Sequence, residues 1–246
     1  MRDSGKTLGI LGGLGPMSSV YFYEMLTSHT YALTDQEHLN ILISSRADTP
    51  DRTDFILGKS LDNPLPIMKS EIARLVGAGA DVIAIPCNTA HYFYDSISED
   101  SAVPIINIVR QTAIFCKRTG IRRVGILATE GTVASGSYSK IFGMAGIDCL
   151  VPDADGQRII SDVIYEQIKK GIAPDMEGFG RVAESLMSRG CERLVLGCTE
   201  LSLLKRNGEL DSRIYVDSLE VLAYSSIRAC GKEPVGFNEE LMSFRI

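Results

Sequence analysis

Val82-Ile83-Ala84-Ile85-Pro86-Cys87-Asn88-Thr89 and Leu194-Val195-Leu196-Gly197-Cys198-Thr199-Glu200 are two versions of one pattern. In each, a short apolar run leads into a cysteine followed by small polar residues. Each cysteine also stands eight positions after a glycine, Gly79 or Gly190. Apolar runs of this length, bounded by turn residues, fit strands buried on both faces, as in parallel sheets.

The repeat extends outward from the two cysteines. Residues 73–89 and 184–199 both read as helix, glycine, strand, cysteine. Leu8-Gly9-Ile10-Leu11 is echoed by Val124-Gly125-Ile126-Leu127, and each is followed by a turn rich in small residues. Strands are expected over 7–11, 38–44, 81–85, 103–109, 123–128, 148–151, 193–196 and 213–216. Helices are expected from Pro16 through Leu26 and over 64–77, 110–118, 135–142, 159–170 and 177–188. Alternating strands and helices specify an α/β protein. The internal repeat specifies two similar Rossmann-like lobes with parallel sheets related by a pseudo-twofold axis, and an active site in the cleft between them. The first lobe is expected over 1–102, with 213–246 returning to it, and the second over 103–212. Ligands of open α/β sheets bind beyond the carboxyl ends of the strands, where both cysteines fall.

Composition narrows the classes. The 246 residues are 45% hydrophobic and 23% charged, with a net charge of −6, as in ordinary soluble globular proteins. The 25 Lys and Arg form no basic run, so no nucleic-acid partner is expected. No apolar stretch reaches the roughly 18 residues of a membrane span, and the opening residues 1–6 do not read as a signal peptide. A cytoplasmic protein without a membrane partner is the expectation. Six cysteines without a C-x-x-C pair indicate neither a zinc ribbon nor a dithiol redox site. Cys116, Cys149, Cys191 and Cys230 read as incidental thiols.

The cysteine pair suggests chemistry that needs one acid/base group on each side of a carbon centre. A thiol at the start of a helix after a strand is expected to have a lowered pKa. Asn88, Thr89 and Thr199 read equally as helix caps or as donors to a substrate carboxylate. Arg52, in Pro50-Asp51-Arg52-Thr53, is a candidate bidentate partner for a carboxylate, with Arg46 as its competitor. The turn from Gly12 to Gly15 fails the dinucleotide fingerprint at its last position and suits a small anion, with Ser18 and Ser19 assisting. Cys87 and His91 would share a helix face, but two ligands are too few for a metal site, and no metal is expected. His91 reads as a cap or supporting partner. Lys169, from its residue type and place alone, reads as a solvated lysine at a helix end.

Residues 9–16, Pro50-Asp51-Arg52-Thr53, Pro86-Cys87-Asn88-Thr89-Ala90-His91 and Gly197-Cys198-Thr199-Glu200 resemble the aspartate/glutamate racemase family, most of all its cofactor-independent aspartate branch. The resemblance runs from about Lys6 to Ser218. Glutamate racemases carry an Asp-Ser-Gly turn after the first strand and a His after the second Cys-Thr; here the first strand is followed by Gly12-Gly13-Leu14-Gly15 and the second Cys-Thr by Glu200.

The resemblance implies interconversion of L- and D-aspartate by a two-cysteine mechanism, with Cys87 and Cys198 as the acid/bases and no cofactor. It implies substrate binding by Arg52, Lys169, Asn88, Thr89 and Thr199, and by a second-lobe loop with Thr129, Gly131 and Thr132; Gly12 belongs to the glycine turn. A small dicarboxylic amino acid is the implied partner, and a homodimer the implied assembly. The alternatives are a glutamate or broad-specificity amino-acid racemase, a maleate isomerase or hydantoin racemase, and a small-acid-binding protein without activity.

Overall fold

The computed structural model describes residues 5–243. The residues read as no signal peptide lie outside it as far as Ser4, as do 244–246 of the expected returning segment. The chain runs β1 (Thr7–Gly12), α1 (Pro16–Ser28), β2 (Asn40–Ser45), α2 (Arg52–Ile56), α3 (Leu65–Gly77), β3 (Val82–Ala84), α4 (Tyr94–Glu99), β4 (Ile105–Ile106) and α5 (Ile108–Arg118). It continues with β5 (Arg123–Leu127), α6 (Glu130–Ala134), α7 (Ser137–Met144), β6 (Asp148–Leu150), α8 (Ala154–Asp162), α9 (Met176–Ser188), β7 (Arg193–Leu196), α10 (Ser202–Arg206), β8 (Tyr215–Asp217), α11 (Ser218–Ala229) and α12 (Glu239–Met242).

Two four-stranded parallel sheets result, ordered β2-β1-β3-β4 and β6-β5-β7-β8. The order is the same in both. In each, the chain moves outward from the first strand on one side and then returns to add strands on the other, which creates a switch point between β1 and β3 and between β5 and β7.

The repeated glycines have a packing reason. Gly9 pairs with Ile83 and Gly125 with Leu194 across neighbouring strands. A Cβ on Gly9 would sit 2.5 Å from Ile83 Cδ1, and one on Gly125 would sit 2.6 Å from Leu194 Cδ2. The large side chain of the adjacent strand fills the space each glycine leaves. Alternation along the strands then sorts side chains between layers. Val82, Ala84, Val124, Ile126, Val195 and Val216 enter one apolar core shared by both sheets with α1, α5, α7 and α11. Ile83 and Ile85 face a separate core in the first lobe, and Leu194 and Leu196 another in the second.

Several sequence expectations shift. The strand expected over 103–109 is only Ile105–Ile106, because Asn107 accepts a hydrogen bond from the Arg110 N–H and caps α5. A boundary after 102 therefore falls before β4, which pairs with β3 in the first sheet. The segment 213–246 does not return as a unit. Its strand, β8, pairs with β7 in the second sheet, while α11 packs on α1 and α5 and touches β3 and β4. The helix expected over 159–170 begins earlier, at Ala154, and changes to a π-helical turn over Val163–Gln167 and a 3-10 turn over Ile168–Lys170. Among the described residues, no helix is long and apolar enough to cross a membrane.

Candidate active site

The carboxyl ends of β3 and β7 bring the two cysteines to one cavity. Both line a narrow recess of about 10 Å³, together with Leu14, Asp51, Arg52, Thr53, Asn88, Thr89, Thr129, Tyr165, Lys169, Thr199 and Glu200. A wider outer cavity, with about 470 Å³, shares Leu14, Asp51, Arg52, Lys169 and Glu200 with the recess and adds Gly13, Gly15, Met17, Ile168 and Leu203 among its walls. The recess thus takes its walls from both lobes, and five residues border both spaces.

Side chains that follow each cysteine join the lobes. Asn88 Nδ2 donates to Ser218 Oγ at 3.0 Å, and Asn88 Oδ1 accepts from the Tyr138 hydroxyl at 2.7 Å. Thr89 Oγ1 lies 3.0 Å from Thr129 Oγ1 and 2.8 Å from Thr132 Oγ1. Thr199 Oγ1 donates to Pro86 O at 3.2 Å. These side chains, read as caps or substrate donors, are occupied across the lobe boundary. Thr129 caps α6 by accepting the Thr132 N–H at 3.1 Å. Gly131 stands where α6 meets α2; a Cβ there would lie 2.7 Å from Thr53 Cα.

Arg52 is buried at the start of α2, capped by Asp51, which accepts from the Asp54 N–H at 3.0 Å. Its guanidinium donates to the carbonyls of Leu14, Thr49 and Pro50. Arg52 Nε is buried with no hydrogen-bond partner among the described residues. Burial works against its charge, but Cys87, Asp51 and Glu200 outweigh it and raise its pKa. Arg46 is engaged elsewhere, with Asp48 at 2.6 Å and Glu71 at 3.2 Å. Lys169 is not a solvated helix-end lysine. It lies 3.7 Å from Glu200 Oε1 and 4.7 Å above the Tyr165 ring. Burial opposes its charge, yet Glu200 and both cysteines raise its pKa.

The irregular turn over Val163–Gln167 presents Tyr165, whose hydroxyl donates to Thr53 Oγ1 of the other lobe at 2.8 Å. Such π-helical turns often occur at functional sites.

The two thiols sit in different surroundings. Cys198 Sγ donates to Glu200 Oε2 at 3.0 Å in a buried contact. Burial and then the Glu200 carboxylate push the Cys198 pKa well up. The expected lowering of a strand-end thiol is therefore reversed here: α10 starts only at Ser202, four residues on, and a carboxylate lies closer than any helix end. Cys87 has the Arg52 guanidinium beside it instead.

Behind Cys87, His91 is fully buried. Its Nε2 accepts from the Ile108 N–H at 3.2 Å, so the proton is on Nδ1, which donates to Cys87 O at 2.9 Å. Burial lowers its pKa and keeps the ring neutral. His91 fixes the backbone at Cys87. Among the described residues, no cluster of three or more His, Cys, Asp or Glu could hold a metal ion.

The recess therefore collects Cys87, Cys198, Arg52, Asn88, Thr89, Thr129, Lys169 and Thr199. Gly12, Gly131 and Thr132 do not border it. A Cβ on Gly12 would meet Ser19 Oγ at 2.8 Å, and Ser19 Oγ in turn accepts from the Gly13 N–H at 3.0 Å. Gly131 and Thr132 act through Thr53, Thr89 and Thr129. Five lining residues are not among the candidates from sequence: Leu14, Asp51, Thr53, Tyr165 and Glu200. Leu14, Asp51, Thr53 and Glu200 lie within the motifs quoted above, and Tyr165 stands one helical turn before Lys169, a spacing that is itself a signal.

Residues 11–224 match the family model described as Asp/Glu/hydantoin racemase. The chain is 25% identical to the broad-specificity amino-acid racemase RacX of Bacillus subtilis over 89% of this chain and 96% of that one. It is 29% identical to the aspartate racemase of Picrophilus torridus, whose structure superposes with a TM-score of 0.84 over 98% of this chain and 100% of that one. An aspartate racemase homologue from Pyrococcus horikoshii is 26% identical, with a TM-score of 0.75 over 92% and 99%. With its two parallel sheets of like order and a recess at their carboxyl ends, the chain belongs to the Asp/Glu/hydantoin racemase family and is an isomerase that acts on amino acids.

Proposed function

We propose that the protein interconverts L- and D-aspartate without a cofactor, with Cys87 and Cys198 as the two acid/bases. The observation that carries this reading is the shared recess: both thiols line it, with the cations Arg52 and Lys169 on the same wall set. Inversion at Cα requires removal of a proton from one face and delivery to the other. The two thiols are set up differently. Cys198 donates to Glu200, and Cys87 shares the recess with the Arg52 guanidinium. Cys87 thiolate removes the α-proton, and Cys198 thiol protonates the opposite face; the other enantiomer runs the steps in reverse.

An amino-acid α-proton is far less acidic than a thiol, so the developing carbanion needs electrostatic support. Arg52 and Lys169 supply positive charge to the substrate carboxylates. Because the side chains of Asn88, Thr89 and Thr199 are engaged across the lobes, their role for substrate passes to their backbone N–H groups, which sit at turn starts where helical partners are lacking. The similarity to the Picrophilus torridus aspartate racemase supports the choice of aspartate.

Broad specificity is the second reading. It is favoured by the apolar Leu14, Met17, Ile168 and Leu203 of the outer cavity, which suit larger side chains, and by the similarity to RacX. The deciding experiment incubates the protein in D2O with single enantiomers of aspartate, glutamate and apolar amino acids, and follows Cα deuteration and optical rotation. Exchange confined to aspartate supports the first reading, and exchange across the panel the second. No exchange with any amino acid would overturn both.

A further inference from the structure

A two-base racemase must recover its starting protonation after each turnover. When Cys198 has given its proton to a substrate, it is left as a thiolate beside a carboxylate, and Cys87 is left protonated. We infer that Glu200 is the proton relay that resets Cys198 from the solvent of the outer cavity. The inference rests on the two-cysteine reading above.

Three observations carry it. Glu200 reaches both spaces: it borders the recess and the outer cavity, while Cys198 borders only the recess. Its two oxygens face different partners. Oε2 accepts from Cys198 Sγ at 3.0 Å, and Oε1 lies 3.7 Å from Lys169 Nζ, a residue that also borders the outer cavity. Its seat is shaped for it as well. A Cβ on Gly15 would collide with Glu200 Oε1, although the Gly15 φ of 160° is one any residue adopts. The glycine turn read as an anion cradle thus holds an anion supplied by the chain itself.

The proton accounting is simple. In the reset, water in the outer cavity protonates the Glu200 carboxylate and leaves as hydroxide or buffered base. The carboxylic acid passes that proton to the Cys198 thiolate, and thiol and carboxylate are restored. In the opposite direction the carboxylate takes the thiol proton and releases it to the same water, which primes Cys198 as a base. No redox change occurs. Burial makes two adjacent anions costly, so the reset is driven toward the protonated thiol. Cys87 has no comparable carboxylate contact among the described residues and exchanges its proton through the recess.

The relay acts on the free enzyme, after product leaves, and this gives it a kinetic signature. Glu200→Gln keeps the shape of the side chain and removes its proton capacity. The expected result with the best substrate of the exchange panel is a fall in kcat of about 10²-fold or more, with KM falling alongside, so that kcat/KM changes far less. In Glu200→Ala, added formate should restore kcat in proportion to its concentration. Gly15→Ala, which displaces the carboxylate but leaves Glu200 in place, should show the same split in milder form.

A second arm does not depend on turnover. The pH midpoint for alkylation of Cys198 by iodoacetamide, read by peptide mass spectrometry, should fall by about 1 to 3 units in Glu200→Gln. Loss of kcat and kcat/KM together without formate rescue, or an unchanged alkylation midpoint, would overturn the relay. If the wild-type protein exchanges no amino acid, the relay falls with the two-cysteine reading, and the inactive wild type identifies that reading as the one that failed.

Discussion

The Cys87 end and the Cys198 end of the recess come from matching strands, yet they have different neighbours. Both cysteines follow the third strand across a sheet of the same order, β3 in one lobe and β7 in the other. Cys87 is backed by a neutral His91 that fixes its carbonyl, and it has Arg52 beside it. Cys198 is backed by Glu200 and keeps its proton. Duplication of a fold copies the backbone path of a strand end. It does not copy the neighbours, because those come from loops and turns that differ between the halves: Arg52 and His91 in the first, Glu200 in the second. A fold with twofold likeness can thus set two matching thiols in unlike surroundings within one recess.

Replacing either thiol gives the largest expected effect. Cys87→Ser and Cys198→Ser should each lower Cα exchange by about 10²–10⁴-fold. If one variant keeps the wild-type rate in both directions, the two ends are not a catalytic pair. Arg52→Lys comes next. A lysine cannot reach the carbonyls of Leu14, Thr49 and Pro50 with a fork, and unsatisfied buried groups cost about 1–3 kcal/mol. Urea unfolding should show that loss, and the exchange assay a weaker affinity for carboxylates.

Gly131→Ala tests how closely the ends must approach. The added Cβ presses on Thr53 Cα, and overpacking of this kind costs about 1–3 kcal/mol. A neutral result by urea unfolding would mean that α2 and α6 yield easily. Tyr165→Phe removes one hydrogen bond between the lobes, to Thr53, and should cost about 1 kcal/mol in the same assay.

The smallest effect concerns pH. The folded protein holds raised thiol pKa values at Cys198 and also at Cys116 and Cys149, the latter two near 12 against an ordinary 9.0. Below pH 9 these thiols are protonated in both states. Above it the unfolded chain binds fewer protons than the folded one, so stability falls with rising pH toward the folded values. Urea midpoints from pH 7 to pH 11 should decline above about 9. Cys198→Ala should remove part of that decline; if it removes none, the proton at this end is not held as the Glu200 contact requires.

Much of the fold was legible because its signals are local. The echoed Leu8-Gly9-Ile10-Leu11 and Val124-Gly125-Ile126-Leu127 mark equivalent strands, and the structure supplies the reason: each glycine makes room for a large residue on the next strand. Where the lobes divide was not legible. β4 precedes its helix by only one residue, and β8 and α11 are adjacent in sequence but serve different layers. Nor did local pattern reveal the environment of Lys169, which depends on a π-helical turn and on Glu200 some thirty residues ahead.

The sequence by itself determined the duplicated α/β architecture, the strand-end positions of Cys87 and Cys198, and the motifs of a racemase family, because hydrophobic period, glycine placement and short motifs are properties of adjacent residues. Only the tertiary structure decided what each thiol faces. It occupied the side chains of Asn88, Thr89 and Thr199 in joining the lobes, turned Arg46 away, and set the Glu200 carboxylate against Cys198. Glu200 stands only two residues from Cys198, but the turn that aims its carboxylate at the thiol and the burial that desolvates both are products of packing, so the motif names the partner and the tertiary structure decides the contact.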